Sequence, residues 1–322
     1  MNDTKLLEVR NLKKYFTLRK FGRKSFVRAV DGVSFHIDRG EILGILGESG
    51  CGKSTLGLVL SRIEKETEGD IIFKNKKISG SLKLDKQTRR DIQIILQNPY
   101  DSFDPRLTIQ DSLIVPLKIH GIGENTSDRR EIILDYLHKA GFEPPSAFLK
   151  RYPHELSGGQ LQRISVLRAM MLKPSFLIAD ECVSMLDLSV RASVINLLLD
   201  LTSMENTSMM FITHDISLGK FLSDRLAVIY LGKIVELGNA KEVSENPLHP
   251  YTKILISYSP SVFEKKEKIK PKEILSTTHQ NIQRGCSFAP RCPFAKKECF
   301  EREPELFEVE KRHWVACLNY KK

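Results

Sequence analysis

Over roughly the first 250 residues, short runs of β-branched and aliphatic side chains alternate with helical patterns, the arrangement of an α/β chain with a substantial parallel sheet. The runs predict strands at Leu6–Val9, Glu41–Leu46, Asp91–Leu96, Phe176–Ala179, Met209–Thr213 and Leu226–Leu231. Asp128–Ala140 reads as an amphipathic helix: Ile132, Ile133, Tyr136, Leu137 and Ala140 share a face, Ser127 is placed to cap the start, and Gly141 follows the end. Gln160–Leu172 predicts another helix, closed off by Pro174. No internal repeat of solenoid length is present. No apolar run approaches the roughly 18 to 20 residues that a membrane-spanning helix needs, and the opening MNDTKLLEVR lacks the apolar stretch of a secretory signal. The expectation is a soluble, cytoplasmic chain.

The pattern changes after about Pro260. The segment FEKKEKIKPKEI is charged and poor in apolar residues, so it reads as a linker or an exposed helix, and Gly285–Lys322 beyond it holds four of the six cysteines. The expected division is a large unit over 1–258, a linker over 259–284 and a small cysteine-rich module over 285–322. A length of 322 residues gives room for two domains at about 150 residues each. An apolar share of 41% and a charged share of 28% exclude a disordered or fibrous chain. Lys and Arg outnumber Asp and Glu by 50 to 40, a formal charge of +10, which favours phosphates, nucleic acid or an anionic membrane surface without choosing among them. Five of those positive charges fall between Arg19 and Arg28 with no acid among them, the composition of a solvated hairpin.

Chemistry enters with GESGCGKST, which carries the phosphate-loop pattern GxxxxGK[ST] at Gly47, Gly52, Lys53 and Ser54. Glycines let the backbone turn its N–H groups of Ser49, Gly50, Cys51 and Gly52 towards phosphate oxygens, and the following helix, entered through Thr55, presents its positive end. Lys53 reaches the β- and γ-phosphates, and Ser54 is a Mg²⁺ ligand. An apolar strand, EILGIL, comes directly before the loop and a helical run, TLGLVLSRI, directly after. A second element is FLIADE, a buried strand ending in Asp180, placed for the Mg²⁺ shell, and Glu181, placed to polarise an attacking water. Three weaker signals share the chain with these two: Gln97 closing a strand, Ser157-Gly158-Gly159-Gln160 opening a helix, and His214 closing another strand.

Taken in the order phosphate loop, Gln97, LSGGQ, Asp180-Glu181, Asp187, His214, the sequence resembles the ATP-binding subunits of ABC transporters over roughly its first 250 residues. The resemblance implies a P-loop ABC-type ATPase: a RecA-like α/β core with an antiparallel β subdomain and an α-helical subdomain at about 98–158. It implies that Phe16 stacks on adenine, with the adjacent Tyr15 as the fallback, and that Gln97 senses the γ-phosphate, Mg²⁺ and a membrane partner. Ser184–Asp187 would cross a dimer, His214 would position the γ-phosphate, and LSGGQ would cover ATP held by the opposite subunit. Glu181, His214 and Lys53 would carry catalysis. Where the family usually has Asp-Glu-Pro-Thr, this chain has Asp180-Glu181-Cys182-Val183, which puts the rigidity of that turn in question.

QNPYDSFDPR after Gln97 and NPLHPYT at 246–252 look like the oligopeptide, dipeptide and nickel importer branch. That branch implies a peripheral subunit on the cytoplasmic face of the cell membrane. Its partners would be a second ATP-binding subunit and two integral permease subunits docking at about Tyr100 to His120, with an extracytoplasmic solute-binding protein acting indirectly and no nucleic acid. Peptides are the expected solute, nickel or another small solute the alternative; an ABC-type ATPase of DNA repair or translation is the reading from another class. Cys286, Cys292, Cys299 and Cys317 are separated by five, six and seventeen residues. In a reducing compartment such a set reads as metal ligands or buried thiols. The loose spacing, with the branch resemblance, favours a [4Fe-4S] cluster; Zn²⁺ and unmetallated thiols remain the alternatives.

Overall fold

The six predicted strands all form in the computed structural model of the chain, which describes residues 4–20, 23–258, 270–271 and 285–320. In chain order the strands are β1 (Lys5–Lys20), β2 (Arg23–Asp38), β3 (Ile42–Leu46), β4 (Glu68–Phe73), β5 (Lys76–Lys77), β6 (Ile92–Ile95), β7 (Phe176–Asp180), β8 (Ser208–Thr213), β9 (Arg225–Tyr230), β10 (Lys233–Asn239), β11 (Phe307–Glu310) and β12 (His313–Val315). Most of β1 is invisible to periodicity because Leu12 is the last of its described apolar side chains to be buried. The charged run from Arg19 to Arg28 falls where β1 ends and β2 begins. The expected linker lies outside the described residues apart from 270–271.

The chain divides into two units. The first comprises the described residues within 1–6, 38–41 and 81–210. Its strands β6 and β7 pair in parallel, with Ile92 opposite Phe176 and Ile95 opposite Ala179. All five residues of β7 are buried, which is why it reads as an unbroken apolar run. Helices Ile109–His120, Thr126–Lys139, Gly158–Met170 and Leu188–Met204 are capped in turn by Thr108, Asn125, Ser157 and Asp187. The cap of the second differs from expectation. The helix starts at Thr126, so Asn125 accepts from the Asp128 N–H at 3.1 Å and Ser127 sits inside the first turn. A short helix, Ser146–Leu149, follows the second of these.

The second unit comprises the described residues within 7–37, 42–80 and 211–322. It holds an antiparallel sheet in the order β2-β1-β4-β5 and a second run in the order β11-β12-β10-β9-β3, in which only β9 and β3 are parallel neighbours. The segment after Gly285 continues this sheet: β12 pairs with β10, Trp314 opposite Leu237, and the Ala316 N–H donates to Val235 at 2.8 Å. A single apolar cluster therefore mixes Leu46 of β3 and Val228 of β9 with Tyr251, Phe288 and Cys292. The join includes a buried polar cluster. Glu236 is fully buried and its carboxylate accepts from the N–H groups of Leu248 (2.7 Å) and His249 (2.8 Å) and shares a 2.8 Å hydrogen bond with His313 Nε2. Among the described residues, no helix is long and apolar enough to cross a membrane.

Candidate functional site

β3 delivers the chain into the loop at Gly47, and the helix Lys53–Leu60 leaves it. Two glycines are required there by close approach. A Cβ on Gly52, whose φ is +108°, would stand 1.9 Å from the Ala29 carbonyl oxygen, and one on Gly47 would stand 2.4 Å from that of Ile229. Gly52 offers the helix no side-chain cap and its first turn carries no acid, an arrangement that suits an anion at the helix's positive end. Lys53 is buried, and its ammonium donates to the carbonyls of Gly47 (2.9 Å) and Glu48 (3.0 Å), bridging the loop it follows. Ser49 and Gly50 are exposed, Ser54 and Thr55 half-buried. Cys51 is buried, which pushes its thiol up, and its carbonyl accepts from the Gly232 N–H at 2.8 Å.

In the same unit Phe16 presents a ring that is 37% exposed, with Lys14 Nζ at 4.7 Å from its centroid. Its neighbour Tyr15 is committed elsewhere, donating its hydroxyl to Asp31. His214 is exposed just after β8, and Asp215 caps the next helix by accepting from the N–H groups of Ser217 (2.9 Å) and Leu218 (3.2 Å).

The first unit brings Gln97 and Glu181 together. They follow the ends of the paired strands β6 and β7, and Gln97 Nε2 donates to Glu181 Oε2 at 3.2 Å. Asp180, the last residue of β7, is buried. Glu181 takes a left-handed φ of 43°, a conformation that a β-carbon disfavours. The turn holding it is closed by Ser184, whose N–H (3.0 Å) and hydroxyl (2.8 Å) both donate to the Glu181 carbonyl. Cys182 and Val183 are packed inside, and burial pushes the Cys182 thiol up to about 12.

Ser157 and Gln160 cap each other: the Gln160 N–H donates to the serine hydroxyl at 3.3 Å, and the Ser157 N–H to Gln160 Oε1 at 3.0 Å. The glycines between them differ. A Cβ on Gly159 would lie 2.2 Å from Val190 Cγ1 on the helix Leu188–Met204, whereas one on Gly158 would meet nothing within 4 Å. One glycine serves packing, and the other leaves the helix end open to solvent. Beyond it, Met185 and Leu188 are 66% and 81% exposed beside Asp187.

The metal centre expected at the four C-terminal cysteines finds no support in the structure. Among the described residues no group of three or more His, Cys, Asp or Glu is disposed to hold a metal ion. The four thiols lie close enough to interact electrostatically, Cys286 with Cys299 and Cys317, and Cys317 with Cys292 and Cys299. Each nevertheless packs into apolar surroundings: Cys292 with Tyr251 and Phe288, Cys317 with Leu248 and Val315, Cys286 and Cys299 with Ala289 and Leu318. Burial pushes the Cys286 thiol up to about 11 and raises that of Cys317, and the neighbouring thiols add to both shifts.

Two contacts to the phosphate loop have no signature in the sequence. The Glu48 N–H donates to Tyr251 Oη at 2.9 Å, and the Glu48 carboxylate is held by Arg291. Tyr251 falls within the NPLHPYT stretch; for Arg291 the sequence holds no pointer at all.

Comparison with known proteins places these features in a family. Residues 30–184 match the ABC transporter family, and residues 235–299 match the oligopeptide/dipeptide transporter C-terminal region. An oligopeptide transport ATP-binding protein of Bacillus subtilis, AppF, is 44% identical, with 99% of this chain and 98% of that protein aligned. A dipeptide transport ATP-binding protein of Haemophilus influenzae, DppF, is 41% identical over 98% of this chain and 97% of its own length. Among solved structures, the dimeric post-hydrolysis state of an ATP-binding cassette bound to ADP and phosphate superposes with a TM-score of 0.65 at 27% identity, covering 73% of this chain and 99% of that one.

Proposed function

The chain belongs to the ATP-binding subunits of ABC transporters, in the oligopeptide/dipeptide branch, and from that membership we propose that it hydrolyses ATP to drive peptide import through separate membrane subunits. The fold is the mixed α/β P-loop fold of ABC ATPases. The observation that carries the residue-level reading is the Gln97–Glu181 hydrogen bond, which holds a carboxylate ready at the ends of two parallel strands.

Lys53 leaves the carbonyls of Gly47 and Glu48 for the β- and γ-phosphates, and the backbone from Ser49 to Thr55 supplies N–H donors to the remaining oxygens. Glu181 accepts a proton from the water that attacks the γ-phosphorus; the bond to the β–γ bridging oxygen breaks, leaving ADP and phosphate. His214 orients the γ-phosphate. The hydroxyl of Ser54, the amide oxygen of Gln97 and the carboxylate of Asp180 are hard oxygen donors and suit Mg²⁺. When bound, Mg²⁺ neutralises charge on the phosphates. Phe16 supplies the adenine platform, a choice supported by its exposed ring and by the engagement of Tyr15 with Asp31.

Ser157, Gly158, Gly159 and Gln160 act across a dimer on ATP held by a second ATP-binding subunit, releasing their mutual cap as they do so. The ADP-bound dimer among the structural relatives supports that arrangement. Two permease subunits carry the solute path and a solute-binding protein delivers peptide to them. This chain sits against them from the cytoplasmic side. Uptake of a labelled dipeptide by a deletion strain tests the proposal: the wild-type gene restores it and Lys53→Ala does not. Restoration of Ni²⁺ uptake alone would redirect the solute assignment.

A further inference from the structure

The phosphate loop is held from the far end of the chain. Every polar group of Glu48 is engaged: its N–H donates to Tyr251 Oη at 2.9 Å and its carbonyl accepts from Lys53 Nζ at 3.0 Å. Its carboxylate receives both arms of the Arg291 guanidinium, Nη1 to Oε2 at 2.9 Å and Nη2 to Oε1 at 3.0 Å. Tyr251 and Arg291 both come from the C-terminal region, 243 residues beyond Glu48 in the case of Arg291. Arg291 is itself fixed, its guanidinium lying 5.8 Å from the Tyr230 ring centroid and 6.0 Å from that of Phe288. Phe288 is 1% exposed and its ring meets that of Tyr251 at 5.5 Å. The contact is thus a two-point fork backed by a packed aromatic wall, the kind of pairing in which geometry as well as charge is specified.

Glu48 sits one residue into a loop whose task is to surround a triphosphate. An unpaired carboxylate there would repel the ligand, and a mobile Glu48 would displace the carbonyl on which Lys53 rests. We propose that Arg291 is a positioning residue for ATP binding, supplied by the C-terminal region, which neutralises Glu48 and fixes the resting geometry of the loop. It touches no reacting atom, so it acts on nucleotide affinity and leaves the chemical step alone. The inference rests on residues 47–55 being the ATP site.

The test is a steady-state ATPase titration and an ATP-binding titration of the assembled transporter, with Tm recorded for each variant. Arg291→Ala should raise KM and Kd for ATP about tenfold with kcat within about twofold of wild type, the split expected when binding rather than chemistry is lost. Arg291→Lys should recover part of the loss, because it restores charge without the fork. The exchanged pair Glu48→Arg with Arg291→Glu should recover most of it, and these two variants carry the test if Arg291→Ala does not fold. A lower Tm with unchanged KM would make Arg291 a tether only and overturn the proposal, as would failure of the exchanged pair to improve on Arg291→Ala. Absence of ATP binding by the wild type would overturn the assignment of the site itself and the proposal with it.

Discussion

Gly158 and Gly159 stand side by side in the sequence, yet space divides their roles. Adding a methyl at Gly159 drives it into Val190, and overpacking of that kind costs about 1–3 kcal/mol. At Gly158 there is room, and alanine is the better helix former by about 1 kcal/mol. Denaturant unfolding should therefore find Gly159→Ala destabilised and Gly158→Ala at least as stable as wild type, while ATPase activity falls in both. Equal stabilities would refute the packing argument. Cys182 makes a second residue-scale case. With its thiol buried and pushed up to about 12, thiolate is scarce at neutral pH, so mass-spectrometric mapping after mild alkylation of the native protein should leave it unmodified. Rapid labelling would contradict its burial in the packed turn. The residue types of the candidate site were legible because phosphate chemistry restricts them so tightly. The Ser184 clamp was not, since a serine three residues after a glutamate is commonplace and only the left-handed turn at Glu181 gives it a function.

Strands buried on both sides announced themselves as apolar runs, β7 most clearly. The outer part of β1 did not, because beyond Leu12 it buries no further described apolar side chain. The C-terminal strands were missed for a different reason. Phe307–Glu310 alternates half-buried and exposed positions over only four residues, too short for a period, and its partner His313–Val315 is shorter still. What joins them to β10 is non-local: a carboxylate satisfied by two backbone N–H groups and a histidine. Glu236→Ala strands those buried partners and should cost about 3 kcal/mol or more in denaturant unfolding. The exposed pair Lys13–Glu68, at 2.8 Å, provides the control, because Glu68→Ala should cost less than about 1 kcal/mol. Comparable losses for the two would show that the C-terminal strands are not held by Glu236.

For the whole molecule, the same physics explains why family membership was readable while the fate of the cysteines was not. The motif order was readable because few residue types handle phosphate and each motif fixes their spacing. Four cysteines in a short segment are compatible with ligation and with burial alike, and their spacing does not decide between the two: here the thiols lie among apolar neighbours, and no group disposed to hold a metal is found among the described residues. The segment after Gly285 belongs to the unit that carries the phosphate loop, so a change near the end of the chain is expected to reach nucleotide affinity. The charge of +10 suits a protein working against an anionic membrane face, although its sign alone is shared with nucleic-acid binders. The central claim is ATP hydrolysis with Glu181 as the base, and one variant addresses it most directly. In the complex purified with its membrane partners, Glu181→Gln should bind ATP with wild-type affinity and hydrolyse it about 10²- to 10⁴-fold more slowly. Hydrolysis at the wild-type rate would contradict the account.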